Sequence, residues 1–594
     1  GGNILKPMKQ YLSIQDSNSL GFNMIIPEEG IEVYGNKGRV YDAITMSNRG
    51  MISNGKLKRL TSTAQAEKFQ FYPDSMISQA KTFKIEKDAD GLYPHLTSED
   101  VSVRWLTGED EWIATNAKGK RFDMFENGTT LDGSITLTPA RLFASGAIDM
   151  TDSRITSGLF NFSSNSIRAD TSDYNLKSRS TSGYSFIADN ANTDINFDIR
   201  IAKFRLNTDS SMVKFPELQY ICTMTDFAYD MQSRILNMEQ KGKSNTPLLT
   251  ADQLLRLNLS SLDKPTFFAT NNLTDTVSFS SWKGRFNLDK EIIEAENINY
   301  IHIADALIQP DSGKIIINRR ARIQTMQNSL IALNNRHILH SANIDIESTK
   351  RYTGSAVYDY VDENKEIQQI KFPELAVDTM TTTARGFIPE SQNFMLSPAF
   401  PFAGDVSLSA RADLLTFTGS AGIVHNCSPL TSYSIKFKST LDPRKVLIPV
   451  SDKPRDINDN LVVSGSFINT DSIHIYPAFL SAQKSWSDIP IVDANGYMFY
   501  EKEKGRYLIT SLQKLTDMSL NGNMISFDKN YCIMSGEGKI SFGTKYDLFE
   551  FASAGNFIHR IDSGSVNIEA ILAMNFHFSP EALKIMADEI RMMP

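Results

Sequence analysis

Histidine side chains could hold a metal ion or move a proton, and in this chain they are scattered. Eight occur, and His337 and His340 in the segment NNRHILH form the only close pair. On a strand, residues three apart point to opposite faces, so these two imidazoles cannot share a zinc ion. The same spacing separates His302 from Asp305. The histidines therefore predict no metal site.

Sequence motifs of covalent and phosphate chemistry are absent. The chain contains no Gly-x-Ser-x-Gly elbow, Gly-rich phosphate loop or His-Glu-x-x-His pair. Two carboxylates at a defined separation could hydrolyse a glycoside, but 69 acidic residues give no basis for choosing a pair. We expect a protein that is not an enzyme and that needs no cofactor.

One acidic loop imitates the start of a calcium-binding loop. Asp456, Asn458 and Asn460 stand at alternate positions, but Leu461 occupies the place of the required glycine and Phe467 that of the closing glutamate. Turn chemistry is the better interpretation, because Asp and Asn side chains bond to their own backbone. The segment Asp88-Ala89-Asp90-Gly91 is interpreted as a turn for the same reason.

Two tryptophans could bind a glycan by stacking. Trp105 and Trp112 lie in the acidic segment RWLTGEDEW, where aromatic and acidic residues coincide. Tryptophan combines a large apolar face with a polar edge, which suits a sugar ring. The alternative is that both rings are partly buried and frame a hairpin.

Three cysteines occur, Cys222, Cys427 and Cys532, each more than 100 residues from the next. Their spacing makes no zinc site. Each lies in an apolar alternating segment, where a free cysteine behaves as a small buried hydrophobe. We expect three free buried thiols, and the odd number excludes complete pairing.

Bulk composition excludes several classes of protein. The net charge is −8, so there is no cationic surface for nucleic acid. No apolar run approaches the roughly 18 residues of a membrane helix. The chain begins Gly1-Gly2-Asn3, without methionine or signal peptide, as expected of a trimmed chain whose export signal could have been removed.

Glycine-bounded units with two alternating strands recur along the chain. They occupy 38–57, 133–148, 404–423 and 522–540. Each begins with a glycine and has a closing glycine near its end, at Gly55, Gly146, Gly419 and Gly536. Residues 50–85 also align without gaps on 141–176, an offset of 91 that places Gly55 on Gly146. A lone hairpin cannot bury its apolar face, so repetition predicts stacked β-layers. We expect strands to exceed about 40% of residues, above the usual share.

Helix signals are few, and composition gives two boundaries. Thr250 could cap a short helix over 250–258, and Ser579 with Pro580 starts a stronger helix over 579–592. Polar segments at 241–247 and 451–460 divide the chain into β-repeat regions at 1–240, 248–450 and 451–594.

The chain resembles large cell-envelope proteins of Bacteroidota, a family without an agreed activity. The segments that carry the resemblance are FQFYPDS (69–75), FPELQYICTMTDFAYDM (215–231), YTGSAVYDYVDENKEIQQIKFPEL (352–375), GDVSLSARADLLTFTG (404–419), NTDSIHIYPAFLS (469–481) and SDIPIVDANGYMFY (487–500). The strand–turn–strand units also look like the OstA-like repeats of lipopolysaccharide-transport proteins, which form a β-jellyroll. The resemblance implies export to the periplasm or outer membrane.

Four short segments look like the O-glycosylation sequon of Bacteroidota, an Asp followed by Ser or Thr and an apolar residue. Their hydroxyl residues are Ser75, Thr276, Thr379 and Ser472. The resemblance implies that these hydroxyls are glycosylated.

The fold expected is all-β: an elongated array of repeated β-sandwich or β-solenoid units, OstA-like in character, with one or two short helices. Two functions remain open. A scaffold of the envelope would fill the space between its sheets, whereas a carrier of lipid or glycan would leave an apolar groove. Phe69, Phe71, Phe160 and Phe162 alternate on their strands and could line either interior. Envelope proteins, lipid or glycan are the partners expected.

Overall fold

The structure is a computed structural model of the 594-residue chain. It describes all residues except 1–9, 17–18, 48–49, 89, 209–210, 242–246, 259, 261, 273–274, 472–473, 542–548, 577 and 594. Strands make up 58% of it and helices 6%. The expectation of an all-β chain with strands above about 40% is confirmed.

The first sixteen strands are antiparallel and mostly long. They are β1 (Gln10–Asp16), β2 (Ser19–Ile25), β3 (Ile31–Val33), β4 (Gly38–Val40), β5 (Ala43–Ser47), β6 (Gly50–Arg59), β7 (Ser62–Phe71), β8 (Ser75–Ile85), β9 (Leu96–Leu106), β10 (Glu111–Asn116), β11 (Phe122–Met124), β12 (Thr129–Leu137), β13 (Leu142–Asp149), β14 (Ser153–Phe162), β15 (Ser166–Lys177) and β16 (Tyr184–Asn196).

The next fourteen strands are short. They are β17 (Ile201–Leu206), β18 (Val213–Phe215), β19 (Tyr220–Cys222), β20 (Asp226–Asp230), β21 (Ile235–Glu239), β22 (Phe267–Ala269), β23 (Ser278–Phe279), β24 (Lys283–Asn287), β25 (Ile292–Glu296), β26 (Ile301–Ile303), β27 (Ala306–Gln309), β28 (Ile315–Asn318), β29 (Arg322–Ile323) and β30 (Met326–Leu333).

The remaining strands complete the large sheet and form two smaller ones. They are β31 (His337–Ser348), β32 (Arg351–Val361), β33 (Ile367–Asp378), β34 (Thr381–Ile388), β35 (Met395–Ser397), β36 (Phe400–Ser409), β37 (Thr416–Ala421), β38 (Ile435–Thr440), β39 (Ile448–Val450), β40 (Val462–Asn469), β41 (His474–Ala482), β42 (Ile489–Asp493), β43 (Gly496–Glu501), β44 (Arg506–Thr510), β45 (Met524–Asp528), β46 (Ile533–Lys539), β47 (Phe549–Arg560) and β48 (Ser565–Phe576).

The alignment at an offset of 91 residues coincides with a repeated strand triplet. β7 and β14 have the same alternation of buried and exposed residues. Met51 faces Phe71 in the first triplet, and Leu142 faces Phe162 in the second. The β-bulge between residues 53 and 55 recurs between 144 and 146. Strand boundaries and register in β6–β8 are therefore those of β13–β15.

Glycine pairs lie where long strands approach each other most closely. Gly133 faces Gly146 across β12 and β13, and Gly404 faces Gly419 across β36 and β37. A Cβ at Gly146 would lie 2.2 Å from the carbonyl oxygen of Asp132. Only glycine fits there, because any side chain would collide with the facing backbone.

Three of the four glycine-bounded units are single hairpins: β12–β13, β36–β37 and β45–β46. The unit at 38–57 differs, because it contains β4, β5 and the start of β6. The long β6 pairs with β5 along one half of its length and with β4 along the other half. This unit therefore has three strands, where the sequence pattern predicted two.

Beyond β16 the sheet divides into two ribbons. β16 pairs with both β17 and β18. The first ribbon continues through β17, β20, β21, β24, β25, β28 and β29. The second continues through β18, β19, β22, β23, β26, β27 and β30. Phe215 on the second lies 5.3 Å from Phe286 on the first, between ring centroids, so the ribbons face each other across a shared core.

The C-terminal region forms a separate pair of sheets. β39 and β43–β48 make a seven-stranded sheet, and β40–β42 make a three-stranded one. Phe479 of the smaller sheet packs on Phe527 of the larger, with ring centroids 5.4 Å apart. Strand pairing is continuous across 240–248. The change from the large sheet to the seven-stranded sheet falls between β38 and β39, before the polar segment at 451–460.

The expectation of three free cysteines is wrong. Cys427 and Cys532 form a disulfide bond with a Cα–Cα distance of 5.6 Å, and Cys222 alone is a free, buried thiol. Cys427 lies in the segment after β37, and Cys532 in the turn between β45 and β46. The bond therefore joins the large sheet to the seven-stranded sheet. Sequence spacing did not reveal it, because 105 residues separate the two cysteines.

Both expected helices are confirmed. α1 (Ala251–Leu255) begins after the Thr250 N-cap. A second helix, α2 (Leu512–Thr516), was not expected, and α3 (Pro580–Met592) follows the Ser579 N-cap. Among the described residues, none of the helices has the length and apolar character needed to cross a membrane.

The accessible surface area of the chain is 31788 Å². A compact globular protein of 66.5 kDa would expose about 21,000 Å². The chain therefore exposes more surface than a compact globular protein of the same mass.

Candidate functional site

A cleft of about 510 Å³ lies where several strand ends meet, and we call it the edge cleft. Its walls come from the turns at 125–129, 150–153, 164–165, 197–200 and 229–234. The turns at 150–153 and 164–165 lie at opposite ends of β14. Residues at both ends of this strand therefore line the edge cleft.

Aromatic rings form the floor of the edge cleft. The ring centroids of Phe125 and Phe197 are 4.5 Å apart, and Phe125 also lies 6.3 Å from Phe162. Phe125 and Phe197 are half-buried, whereas Phe162 belongs to the buried core. The half-buried pair Phe125 and Phe197 therefore joins the edge cleft to the buried core.

One wall of the edge cleft is an ion-pair network around Asp152. Its carboxylate accepts hydrogen bonds from Arg234 Nε at 3.2 Å, Arg179 Nη2 at 3.4 Å and the Tyr229 hydroxyl at 3.4 Å. Burial, together with the charge of Asp152, raises the pKa of Tyr229 far above its usual range, so the phenol remains a proton donor. Asp152 also raises the pKa of Arg234.

The lining of the edge cleft also includes His95, which lies between two carboxylates. Its Nδ1 lies 3.6 Å from Glu86, and its Nε2 lies 3.6 Å from Glu126. A hydrogen bond from Lys84 holds the pKa of Glu86 below its ordinary value. His95 thus lies between two acidic side chains, and Asp152 lies between two arginines.

The part of the chain that the structure describes contains no group of three His, Cys, Asp or Glu residues able to hold an ion. His337 Nε2 bonds to the carbonyl oxygen of Ala412, while His340 Nε2 lies 3.0 Å from Asp359. The two histidines thus have separate partners. Asp456 accepts from the backbone of Asn458 and Asn460, which closes the turn that the sequence indicates.

Trp105 and Trp112 are fully buried. Both have 0% of their surface exposed, and they stack on each other with ring centroids 6.2 Å apart. They face each other across β9 and β10, which form the hairpin of the alternative interpretation. No face of either ring is open to a sugar in this structure.

The four alternating phenylalanines lie inside the core. Phe69 and Phe160 are 0% exposed, Phe71 is 4% and Phe162 is 7%. Phe160 and Phe162 contact each other, and Phe71 contacts Tyr34. Their rings are covered by neighbouring side chains of the same chain, so they fill the interior between the layers.

The sequon hydroxyls differ in exposure. Thr379 is exposed at the tip of the β33–β34 hairpin, with its hydroxyl on Asp378. Ser75 and Thr276 are half-buried, and Thr276 donates to the carbonyl oxygen of Asn272. Ser472 lies outside the described residues. Thr379 is the hydroxyl that a modifying enzyme could reach most easily.

Sequence reasoning did not single out the most exposed aromatic residue among those that the structure describes. Trp486, between Ser485 and Ser487, has 94% of its surface exposed. The sequence contains a signal for this exposure, because a tryptophan flanked by serines is not part of the apolar alternation that indicates a buried strand position.

Comparison of the chain with protein-family models and with curated proteins finds no match.

Proposed function

We propose that this chain is a non-catalytic structural or scaffolding protein of the bacterial cell envelope, whose sheets present surface to other envelope components. The observation that carries the proposal is the filled interior. Phe69 and Phe160, which would line a groove, are fully buried among the chain's own side chains. A filled core stabilises the packed sheets, and rings that are buried in it do not line a groove.

The disulfide bond supports an extracytoplasmic location. Disulfides form and persist in oxidising compartments and are rare in the cytosol. The bond between Cys427 and Cys532 joins two sheets, which is a structural and not a catalytic position. Together with the resemblance to envelope proteins of Bacteroidota, it favours export.

The rival proposal, a carrier of lipid or glycan, has weaker support. An acyl chain gains free energy only by burying apolar area, so a carrier needs a continuous apolar cleft. Charged residues line the edge cleft, among them Lys87, Asp152, Asp198 and Arg234. These charged walls oppose entry of an acyl chain there.

We also propose that the two strand triplets are copies of one OstA-like jellyroll unit. The matching bulges of β6–β7 and β13–β14 support this, because a bulge is a specific feature that unrelated sheets seldom share at one position. A crystal structure with the bulges at non-equivalent positions would contradict it.

Native mass spectrometry of protein purified from its own host without detergent tests the scaffold proposal. We expect the mass of the polypeptide with its covalent modifications, and no lipid in an organic extract. A stoichiometric lipid that co-purifies would refute the scaffold and favour the carrier. Protein refolded in the absence of lipid provides the control, since it should have the same stability if the interior is filled.

A further inference from the structure

Trp486 lies in the turn between β41 and β42, with 94% of its surface in solvent. A single exposed apolar residue is common and needs no explanation by itself. The surroundings of Trp486 are unusual in two respects: the turn is rigidly held, and hydroxyl groups flank the ring.

Asp488 fixes the turn. This buried carboxylate accepts from the Ser485 backbone at 2.8 Å and from the Tyr476 hydroxyl at 2.5 Å, both through Oδ2. The Asp488 amide donates to the carbonyl oxygen of Ser485, which closes the turn. The side chain of Gln483 donates to the Asp488 carbonyl at 3.0 Å. Trp486 is therefore presented on a backbone that is already ordered, so binding costs little conformational entropy.

Three hydroxyl groups form a connected row beside the turn. Thr470 Oγ1 lies 2.7 Å from Ser487 Oγ, which lies 3.0 Å from Ser485 Oγ. Ser485 and Ser487 are the immediate neighbours of Trp486, and each hydroxyl can both donate and accept. Lys484 lies with its ammonium 4.6 Å from the centroid of the Tyr476 ring, which adds a cation at the same site.

This combination matches the chemistry of a sugar. One face of a pyranose is apolar and stacks on an aromatic ring, while its equatorial hydroxyls need donors and acceptors at the rim of the ring. A membrane anchor would require further exposed apolar residues beside the tryptophan. The adjacent residues are instead Lys484, Ser485 and Ser487.

We propose that Trp486, with the hydroxyl row of Ser485, Ser487 and Thr470, is a binding platform for a pyranose unit of a polysaccharide. The site would tether the sheets to a glycan. It deepens the scaffold proposal but does not depend on the filled interior, because a carrier could bear the same surface site.

Calorimetric titration of the purified chain with cellohexaose and with chitohexaose tests the proposal. We expect at least one of these sugars to bind, and Trp486→Ala to weaken binding about tenfold, consistent with the loss of an aromatic contact. Trp486→Phe should retain part of the affinity, and Ser485→Ala with Ser487→Ala should weaken it severalfold. Because Trp486 is exposed, its substitution should leave the unfolding midpoint unchanged.

The matched control is Phe387→Ala, which removes another exposed ring, 64% exposed, on the distant strand β34. It should bind as the unaltered chain does. Failure of both sugars to bind, or equal binding by Trp486→Ala, would overturn the proposal. Trp486-dependent binding to phosphatidylethanolamine–phosphatidylglycerol vesicles without sugar would overturn it as well. Lipid found inside the protein would contradict the scaffold proposal, but it would not affect the sugar-binding proposal.

Discussion

Cys427 and Cys532 are bonded across the junction between the large sheet and the seven-stranded sheet. Close by, the Tyr507 hydroxyl of β44 donates to the carbonyl oxygen of Ala399 and accepts from the amide of Val424. The disulfide bond and these hydrogen bonds link the same two sheets. The two sheets are thereby held in one relative position.

Loss of the disulfide should destabilise the C-terminal region. The bond closes a loop of 105 residues, so its removal restores much entropy to the unfolded chain. We expect Cys427→Ser with Cys532→Ser to lower the free energy of unfolding by about 2–5 kcal/mol. Urea denaturation of the unaltered chain and of the double variant, each with and without reductant, measures this loss.

The control for this experiment is the double variant itself, in which reductant should have no further effect. Alkylation of the unaltered chain after unfolding without reductant should modify Cys222 alone. Three reactive thiols under those conditions would show that the bond is absent.

The glycine pair of β12 and β13 should not tolerate a side chain. Gly146→Ala would place a Cβ 2.2 Å from the carbonyl oxygen of Asp132, in a backbone region that favours glycine. We expect a loss of about 2 kcal/mol or more in the free energy of unfolding. Gly158→Ala in β14 is the matched control, because nothing lies within 4 Å of its Cβ position. Equal stability of the two variants would exclude a steric role for the pair.

His559 should make the seven-stranded sheet sensitive to acid. Burial, with His474 nearby, lowers the pKa of His559 to about 4. In the unfolded chain its pKa is about 6.5, so the unfolded state binds more protons between these values. Stability should therefore fall as the pH drops from about 6.5 to 4, by about 3 kcal/mol at most.

His559→Gln tests this linkage, because glutamine does not titrate. The free energy of unfolding of the variant should vary less with pH over the same window, whatever its absolute value. An identical pH slope in both proteins would show that His559 does not carry the effect. Burial also lowers the pKa of His337 and His425, so some acid sensitivity should remain.

Much of the fold could be predicted because its signals are local. The alternation around Phe69 and Phe160 indicated a strand in both triplets, and the Thr250 and Ser579 caps indicated helix starts. The disulfide and the edge cleft could not be predicted, because each joins residues far apart in the sequence through the folding of the sheets. Trp105 and Trp112 show the limit of composition: flanking acids suggested an exposed site, but strand alternation turns both rings inward.

The central claim, that the chain fills its own interior, is tested most directly by the unfolding free energy of Phe160→Ala. If Phe160 is a core residue, we expect a loss of about 3–5 kcal/mol. Leu159→Ala, on the same strand with its side chain 51% exposed, should change stability by only about 0.5 kcal/mol. A loss below about 1 kcal/mol for Phe160→Ala, accompanied by a reduced content of bound lipid, would show that the ring lines a groove and would contradict the scaffold.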